Sequence, residues 1–465
     1  MFIMNGERRA AAASCHRRMR YCMTTRQAVD EAAGNAAAEM HPEDARVDKQ
    51  EGSSIFGGMR SSKLSFQRNA RMWTSMGLPN PLFACHEGLA KGTTRINGKE
   101  YINFSTYDYL DINGHPEITA AVTEAAKCYG TSACASRLVG GERPPHRALE
   151  RALADFYGVE DSIVYVSGHA ANVSTLGVLM GPRDLILHDG LAHNSIVQGC
   201  KLSPAQRISY PHNDADELER LLVQKRGDFK RAIIVTEGLF SMDGNVPDLP
   251  KLIELKKKYN CLLMVDEAHS LGVLGATGRG IREYYSVNPA DVDLWMSTLS
   301  KSLCGCGGMI AGSSGLVEYL KYDSPGFVFS VGMPPIVAVA CNTALSILKR
   351  EPERVHRIQH ISRFFLEYAR GKGLDTGAAQ GYAVVPIIVG NSFVAGCLAL
   401  SLIERQIYAM PITFPAVKEG TARLRFFLSA AHTEEHIRHT LDLVAQELPH
   451  AVERSASLRE EMAKA

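Results

Sequence analysis

Short apolar runs alternate with amphipathic segments from Ile118 to Gly312. The runs Ser162–Val166, Ala232–Thr236 and Cys261–Val265 have the length and the flanking residues of buried strands. Between such runs leucines recur at helical spacing, as they do after Asp214, which is expected to cap a helix. This alternation predicts an α/β fold, with a mostly parallel sheet that carries helices on both faces.

The two ends of the chain follow other patterns. The first 60 residues contain few large apolar side chains and are not expected to fold on their own. A β-hairpin with its turn at Asn97-Gly98 follows an amphipathic arm that includes Phe66 and Trp73. A long helix is expected after Pro334. We therefore predict an N-terminal extension, an arm with a hairpin, a large domain and a smaller C-terminal α/β domain, over residues 1–60, 61–115, 116–335 and 336–465 respectively.

Composition narrows the function classes. The 465 residues are 45% hydrophobic, and 51 Lys plus Arg balance 50 Asp plus Glu. The chain can therefore bury a large core and has no excess charge to attract nucleic acid or an anionic membrane. The apolar stretch Val384–Ile403 is broken by Pro386 and Gly390, so it predicts a strand and a helix and not a membrane span.

The eleven cysteines show no framework spacing, which favours free thiols in a reducing cytoplasm. Cys304 and Cys306 lie close together, but no second ligand pair follows, so no metal site is predicted. The first 29 residues carry six arginines and one acid, Glu7, as a mitochondrial transit peptide would. The alternatives are a disordered leader or an over-long gene start. A mitochondrial matrix location would follow only from the first of these interpretations.

Polar residues follow two predicted strands directly. Asp266 and His269 come after the run that ends at Val265, and Lys301 comes after the run Leu294–Met296. Because open α/β sheets bind ligands at the carboxyl edge of their strands, these side chains are expected to share one site. Pyridoxal 5′-phosphate needs a lysine to hold it as a Schiff base and a carboxylate beside its ring nitrogen. The pattern therefore predicts a pyridoxal-phosphate site.

The local sequence supports the same cofactor. The stretches that contain Asp266 and Lys301 read VDEAHSLGVLGATGRG and STLSKSLCGCGG. They resemble the α-oxoamine synthases, a family of fold-type-I pyridoxal-phosphate enzymes, and the resemblance runs from about Phe66 to the last helix. The segment Tyr107–Asp111 is similar to the serine palmitoyltransferase form of the family motif. The resemblance implies decarboxylative condensation of serine, alanine or glycine with an acyl thioester, on CoA or on a carrier protein.

The resemblance also implies roles for individual residues. Lys301 would hold the cofactor and then remove the α-proton. Asp266 would keep the ring nitrogen charged, His269 would lie near the ring oxygen and His193 would stack on the ring. The other expected cofactor contacts are Gly168 and His169 at a helix start, Glu237, Ser241, Thr298, Ser300, and Ser330 from a partner subunit.

Two residues are expected at the substrate. Arg425 matches the family's clamp for the substrate carboxylate, with Arg423 as the less favoured neighbour. Tyr107 either lines the amino-acid pocket or packs as an aromatic side chain. Ser136, Arg137 and His146 are expected to serve structure and dimer contact. The family implies a homodimer with shared active sites.

Several alternatives remain open at this stage. An aminotransferase of the same fold would share Asp266 and Lys301. Amino-oxononanoate synthase and aminoketobutyrate CoA ligase are further activities within the family. A non-catalytic subunit of the sphingolipid branch would lack the lysine, and this chain has it.

Overall fold

The computed structural model describes Thr74 and residues 82–464, and the compact unit that contains them covers residues 64–465. The predictions for residues 1–60 and for the arm around Phe66 lie outside the described residues. The division into a large and a small domain stays a prediction.

Strands occur in three groups along the chain. In chain order they are β1 (Thr93–Ile96), β2 (Lys99–Asn103), β3 (Asp161–Tyr165), β4 (Asp184–Asp189), β5 (Gln206–Tyr210), β6 (Arg231–Glu237), β7 (Leu262–Asp266), β8 (Leu294–Thr298), β9 (Gly308–Gly312), β10 (Val384–Gly390), β11 (Ile407–Tyr408), β12 (Met410–Ile412) and β13 (Ala422–Phe427).

The α-helices are named in the same way. They are α1 (Pro116–Tyr129), α2 (Pro144–Tyr157), α3 (Gly168–Leu179), α4 (Asn194–Leu202), α5 (Ala215–Lys225), α6 (Leu249–Lys258), α7 (Ile281–Tyr284), α8 (Ser314–Asp323), α9 (Pro325–Val328), α10 (Pro335–Arg350), α11 (Glu353–Gly371), α12 (Ser392–Glu404) and α13 (Glu434–Lys464). A π-helical turn spans Arg137–Gly141.

Seven strands form the central sheet, in the order β3-β9-β8-β7-β6-β4-β5. Strand β9 runs antiparallel to both of its neighbours, and the other adjacent pairs are parallel. The mostly parallel sheet is therefore confirmed. In β7, Leu263 and Val265 pack into one hydrophobic cluster, whereas Met264 between them packs into a second. This alternation places an apolar layer on each face of the sheet.

Two of these strands are absent from the sequence prediction. Strand β5 lies at the edge of the sheet and is mostly exposed, so it has no apolar run to mark it. Strand β9 contains Gly308 and Gly312, which suggest a turn. A Cβ on Gly308 would lie 2.5 Å from the Cα of Gly168, so the glycine allows β9 to pack closely against the start of α3.

The predicted hairpin is present at β1 and β2. Asn97 and Gly98 both have positive φ, as a tight hairpin turn requires. Strand β2 then pairs with β11, so the hairpin is joined to the C-terminal part of the chain. There β10, β13 and β12 form an antiparallel sheet. The strand and helix expected within Val384–Ile403 are present as β10 and α12. No helix among the described residues is both long and apolar enough to cross a membrane.

Candidate active site

The carboxylate of Asp266 lies at the carboxyl end of β7. It is 4% exposed, and each of its oxygens accepts a hydrogen bond. Asn172 Nδ2 donates to Oδ2 over 2.8 Å, and the backbone N–H of Ala268 donates to Oδ1 over 2.9 Å. Asn172 belongs to α3 and also donates to the hydroxyl of Ser195 over 2.9 Å. The acid is thus held in one orientation by a strand, a loop and a helix.

Lys301 follows β8, the strand that pairs with β7. Its Nζ lies 5.7 Å from the centre of the Tyr107 ring. Burial lowers the pKa of Lys301 to about 8, although Asp266 and Glu237 act in the opposite direction. Near neutral pH a useful fraction of this side chain is therefore a neutral amine.

His269 lies in the loop after β7, and the hydroxyl of Tyr109 lies 2.7 Å from its Nδ1. Its ring is stacked on Phe427, with 6.1 Å between the ring centres and 11° between the planes. Burial, together with the charges of Lys301 and Arg425, lowers the pKa of His269 well below its usual value. The imidazole is therefore neutral.

His193 caps helix α4 and lies opposite the end of β6. Its backbone N–H donates to Glu237 Oε1 over 2.6 Å, and its Nδ1 lies 2.7 Å from the hydroxyl of Ser195. Burial first, and then Asp266, raises the pKa of Glu237 well above its usual value. Since Glu237 pairs with Asp266 across β6 and β7, the two acids lie side by side.

The start of α3 offers a site for an anion. The hydroxyl of Ser167 accepts from the N–H of Ala170, and the N–H groups of Gly168 and His169 precede the first intrahelical bond. A Cβ on Gly168 would lie 2.9 Å from the Cβ of Thr298, so a larger residue at this position would block the anion site at the start of α3. The Thr298 hydroxyl donates to the carbonyl of Gly307 and lies 2.8 Å from that of Ser300.

The two arginines of β13 have different surroundings. Arg423 donates to Asp243 over 2.8 Å and to the carbonyl of Met242 over 3.0 Å, so its charge is already paired. Arg425 donates to the Ser241 carbonyl over 3.2 Å and lies over the Phe427 ring. Its Nε is buried and has no hydrogen-bond partner among the described residues. Arg425 thus retains capacity to bind an anion.

The structure brings most of the predicted residues together around one cavity. Its lining includes Gly168, His169, His193, Glu237, Asp266, His269, Thr298 and Lys301. A second cavity of about 250 Å³ is lined by Tyr107 and Ser300 and also by Lys301, which therefore borders both. Ser241, Ser330 and Arg425 line neither cavity, and the hydroxyl of Ser330 donates to the neighbouring carbonyl of Val331 over 3.3 Å.

Sequence reasoning missed three polar residues of this site. Asn172 and Ser195 line the first cavity, and the hydroxyl of Tyr109 is hydrogen-bonded to His269. Asn172 and Ser195 each belong to a stretch that contains a predicted residue, SGHAAN and HNS. Tyr109 lies two positions after Tyr107 in the motif that drew attention to Tyr107.

These residues fit pyridoxal 5′-phosphate. A half-buried lysine, a buried carboxylate and the free N–H groups of a helix start line the same cavity. The Oδ1 of Asn172 is buried there without a hydrogen-bond partner among the described residues, so the cavity retains a polar atom for a ligand. Lys301 would hold the cofactor, Asp266 its ring nitrogen, and the start of α3 its phosphate.

Comparisons with known proteins agree with this site. The profile of the aminotransferase class I and II family matches residues 99–444. The 8-amino-7-oxononanoate synthase of Symbiobacterium thermophilum is 39% identical over 76% of this chain and 89% of its own length. The enzyme of the same name from Geobacter sulfurreducens is 40% identical over 75% of this chain and 89% of its own length.

Solved structures give the same result. A serine palmitoyltransferase from S. paucimobilis with bound PLP superposes with a TM-score of 0.81 at 25% identity, over 86% of this chain and 99% of its own. The 8-amino-7-oxononanoate synthase of Francisella tularensis has a TM-score of 0.66 at 27% identity, over 75% of this chain and 98% of its own. The chain belongs to the aminotransferase class I and II family and, within it, to the α-oxoamine synthases, the pyridoxal-phosphate-dependent acyltransferases that the sequence resembles.

Proposed function

We propose that the protein condenses a small amino acid with an acyl thioester and releases the amino-acid carboxylate as carbon dioxide, which gives an α-aminoketone. The observation that carries this proposal is the position of Lys301 between two cavities. One cavity has the groups for the cofactor. The other is lined by the same lysine, so a second substrate bound there can approach the same reacting carbon.

Each polar group has a task in this reaction. Pyridoxal phosphate, when bound, supplies an electron sink for a carbanion at the α-carbon of the amino acid. Asp266 would stabilise a proton on the ring nitrogen, and its bond from Asn172 keeps the carboxylate in place. His193 would pack against the ring. The start of α3 would bind the phosphate, for which Gly168 leaves room.

Lys301 acts as the base. Its amine would accept the α-proton of the bound amino acid. A group with a pKa of about 8 is neutral often enough to accept a proton and basic enough to hold it. An ordinary lysine, with a pKa of 10.5, would be almost wholly protonated at neutral pH.

Arg425 binds the carboxylate of the amino acid. A guanidinium with an unpartnered Nε can donate two parallel hydrogen bonds, which fix the plane of a carboxylate as well as its position. That control would hold the carboxylate in one orientation as it leaves. Arg423 is unsuited to this task since Asp243 already neutralises it.

The amino acid and acyl chain have two candidate pairs within this reaction class. Serine palmitoyltransferase activity is favoured by the Tyr107 motif and by the solved structures. Production of 8-amino-7-oxononanoate, from alanine and a seven-carbon acyl thioester that ends in a carboxylate, is favoured by the curated relatives. The lining of the second cavity by Ser105, Thr106 and Asp108 also favours this pair, because a long alkyl chain needs an apolar wall.

A homodimer is supported by an exposed apolar patch. Val139 in the π-helical turn and Phe329 after α9 are each 86% exposed, and Leu138 and Val331 beside them are about half exposed. The turn and the segment form one surface, because Ser136 donates to the carbonyl of Val328. Isolated exposed apolar residues are common, but such a group is typical of a protein interface.

Ser330 lies inside this patch, between Phe329 and Val331. It does not line the cavity of its own chain. A second copy docked on the patch would bring the serine towards the cofactor phosphate of its partner, as expected for shared active sites. A reducing cytoplasm suits such an enzyme, because the nine cysteines among the described residues are all free thiols.

The reaction is tested by a substrate panel. Serine, alanine and glycine are each supplied with a palmitoyl thioester and with a carboxylate-ended seven-carbon thioester, on CoA and on a carrier protein. We expect thiol and carbon dioxide release in equal amounts with one preferred pair. Lys301→Ala should lower turnover by about 10²–10⁴-fold, the range for a lost proton-transfer group. Formation of a 2-oxoacid without thiol release would identify an aminotransferase instead.

The amine of Lys301 should capture the cofactor at unusually low pH. Only the neutral amine attacks the aldehyde, so the rate of attachment to cofactor-free protein should rise with pH and level off near 8. Stopped-flow absorbance measures this rate. Asp266→Asn should move the midpoint lower, because Asp266 raises the pKa of Lys301. A plateau near 10.5 would contradict the assignment of an activated lysine.

Arg425→Lys should weaken binding of the amino acid. Loss of one charge-assisted contact corresponds to a dissociation constant about 10–150-fold higher. Titration of the cofactor absorbance with the amino acid measures it, and cofactor affinity should not change. Arg423→Lys on the same strand is the matched control, and its dissociation constant should stay near the wild-type value. Equal effects of the two variants would move the carboxylate site elsewhere.

Phe329→Asp should dissociate the dimer. Each copy would lose the burial of one large apolar side chain, about 1.5–3 kcal/mol, so the dimer dissociation constant should rise about 10²–10⁴-fold. Sedimentation velocity over a concentration series measures it, and cofactor occupancy should fall with the dimer fraction. Val223→Asp, on α5 and 67% exposed, serves as the control. If Phe329→Asp sediments as the wild type does, the proposed interface is wrong.

A further inference from the structure

The hydrogen bond between Tyr109 and His269 joins two buried rings. Tyr109 has no exposed surface, His269 is 6% exposed, and 2.7 Å separates the hydroxyl from Nδ1. His269 also lines the cofactor cavity. Since Nδ1 is occupied by Tyr109, Nε2 is the ring nitrogen that remains for a ligand.

The direction of this bond follows from the surroundings of Tyr109. Its hydroxyl has no other hydrogen-bond partner among the described residues. If Nδ1 carried the proton and donated to the phenol oxygen, the O–H of Tyr109 would be a buried donor without an acceptor. If Tyr109 donates instead, both groups are satisfied. A neutral imidazole with a bare Nδ1 must then carry its proton on Nε2.

The charges around His269 agree with a neutral ring. Burial has the largest effect and lowers the pKa of His269. The charges of Lys301 after β8, Arg425 on β13 and His193 before α4 lower it further. Burial also raises the pKa of Tyr109 well above 10, so the phenol keeps its proton. The pair therefore holds one proton in the O–H···Nδ1 bond and one on Nε2.

We propose that Tyr109 is a positioning residue, which locks His269 in the tautomer with the proton on Nε2 and so presents a fixed N–H donor to the ring oxygen of the cofactor. The inference rests on the placement of the cofactor under the proposed function. It does not depend on the identity of the acyl thioester.

The backbone around Tyr109 is built to hold such a position. The carbonyl of Tyr109 accepts from the N–H of Ala430 over 2.8 Å, and the carbonyl of Asp108 accepts from the hydroxyl of Ser429 over 2.6 Å. Both donors follow β13, the strand that carries Arg425 and Phe427. The stacking of His269 on Phe427 fixes the ring from the same strand. One strand thus sets both the carboxylate clamp and the imidazole.

The first test reads the tautomer directly in cofactor-free protein. Long-range ¹H–¹⁵N spectra of histidine-labelled protein distinguish Nδ1–H from Nε2–H, and His269→Gln identifies the signal. We expect pure Nε2–H in the wild type and a mixture of tautomers in Tyr109→Phe. A wild-type signal from Nδ1–H would overturn the proposal, and so would an unchanged pure Nε2–H signal in the variant.

The second test measures the effect of the N–H donor on the visible absorbance of the protein with bound cofactor. Without a fixed donor the ring oxygen binds its proton more tightly, so the pH midpoint of the visible absorbance should rise by about 0.4–1 pH unit in Tyr109→Phe. Tyr165→Phe is the matched control, because it loses a buried bond of 3.0 Å to Ser324 outside the cavity. An unchanged midpoint in Tyr109→Phe, or an equal rise in Tyr165→Phe, would overturn the proposal.

Both tests are independent of turnover. They use no amino acid and no acyl thioester, so they give the same answer if the substrate panel shows no condensation. Failure of the proposed reaction and failure of this inference are therefore distinguishable.

Discussion

The buried carboxylate of Asp266 is the constraint on which the rest of the site depends. An isolated anion in a protein interior is very costly, so it requires donors and cations around it. Asn172 and Ala268 supply the donors, from α3 and from the loop after β7. Lys301 after β8 lines the same cavity, and its attraction to Asp266 raises the pKa of the lysine against the larger effect of burial.

The balance of these charges sets the chemistry. Arg425 cannot lose its proton, and its field adds to burial in lowering the pKa values of Lys301 and His269. Burial, with a smaller effect from this cation, therefore leaves a useful fraction of the lysine as an amine and the histidine as a neutral donor. Glu237 lies beside Asp266, and burial raises the pKa of Glu237 well above its usual value. A base, a neutral donor and a carboxylate thus line one cavity.

The sequence was sufficient to predict the parts of the site that adjoin an apolar run. Asp266 and Lys301 directly follow buried strands, and parallel strands bring their ends to one edge, so two local patterns yield one site. Tyr109 and Asn172 could not be predicted in this way, because their partners His269 and Asp266 lie 160 and 94 positions further along the chain. Strand β5 was absent from the sequence prediction because an exposed edge strand needs no apolar run. Ser330 was expected at the cofactor from the family resemblance alone, since its expected contact belongs to another copy.

The second cavity differs from the cofactor cavity in most of its lining. Tyr107 lies beside Lys301, and its ring packs edge-on against Phe427 with 4.7 Å between the ring centres. It therefore lies between the amine and β13. It also lines the second cavity, whose other walls come from the segment after β2 and from the turn after Lys301. Tyr107 and Ser300 line this cavity and not the cofactor cavity, whereas Lys301 borders both. One fold can carry different activities, as the 8-amino-7-oxononanoate synthases and the serine palmitoyltransferase that are similar to this chain show.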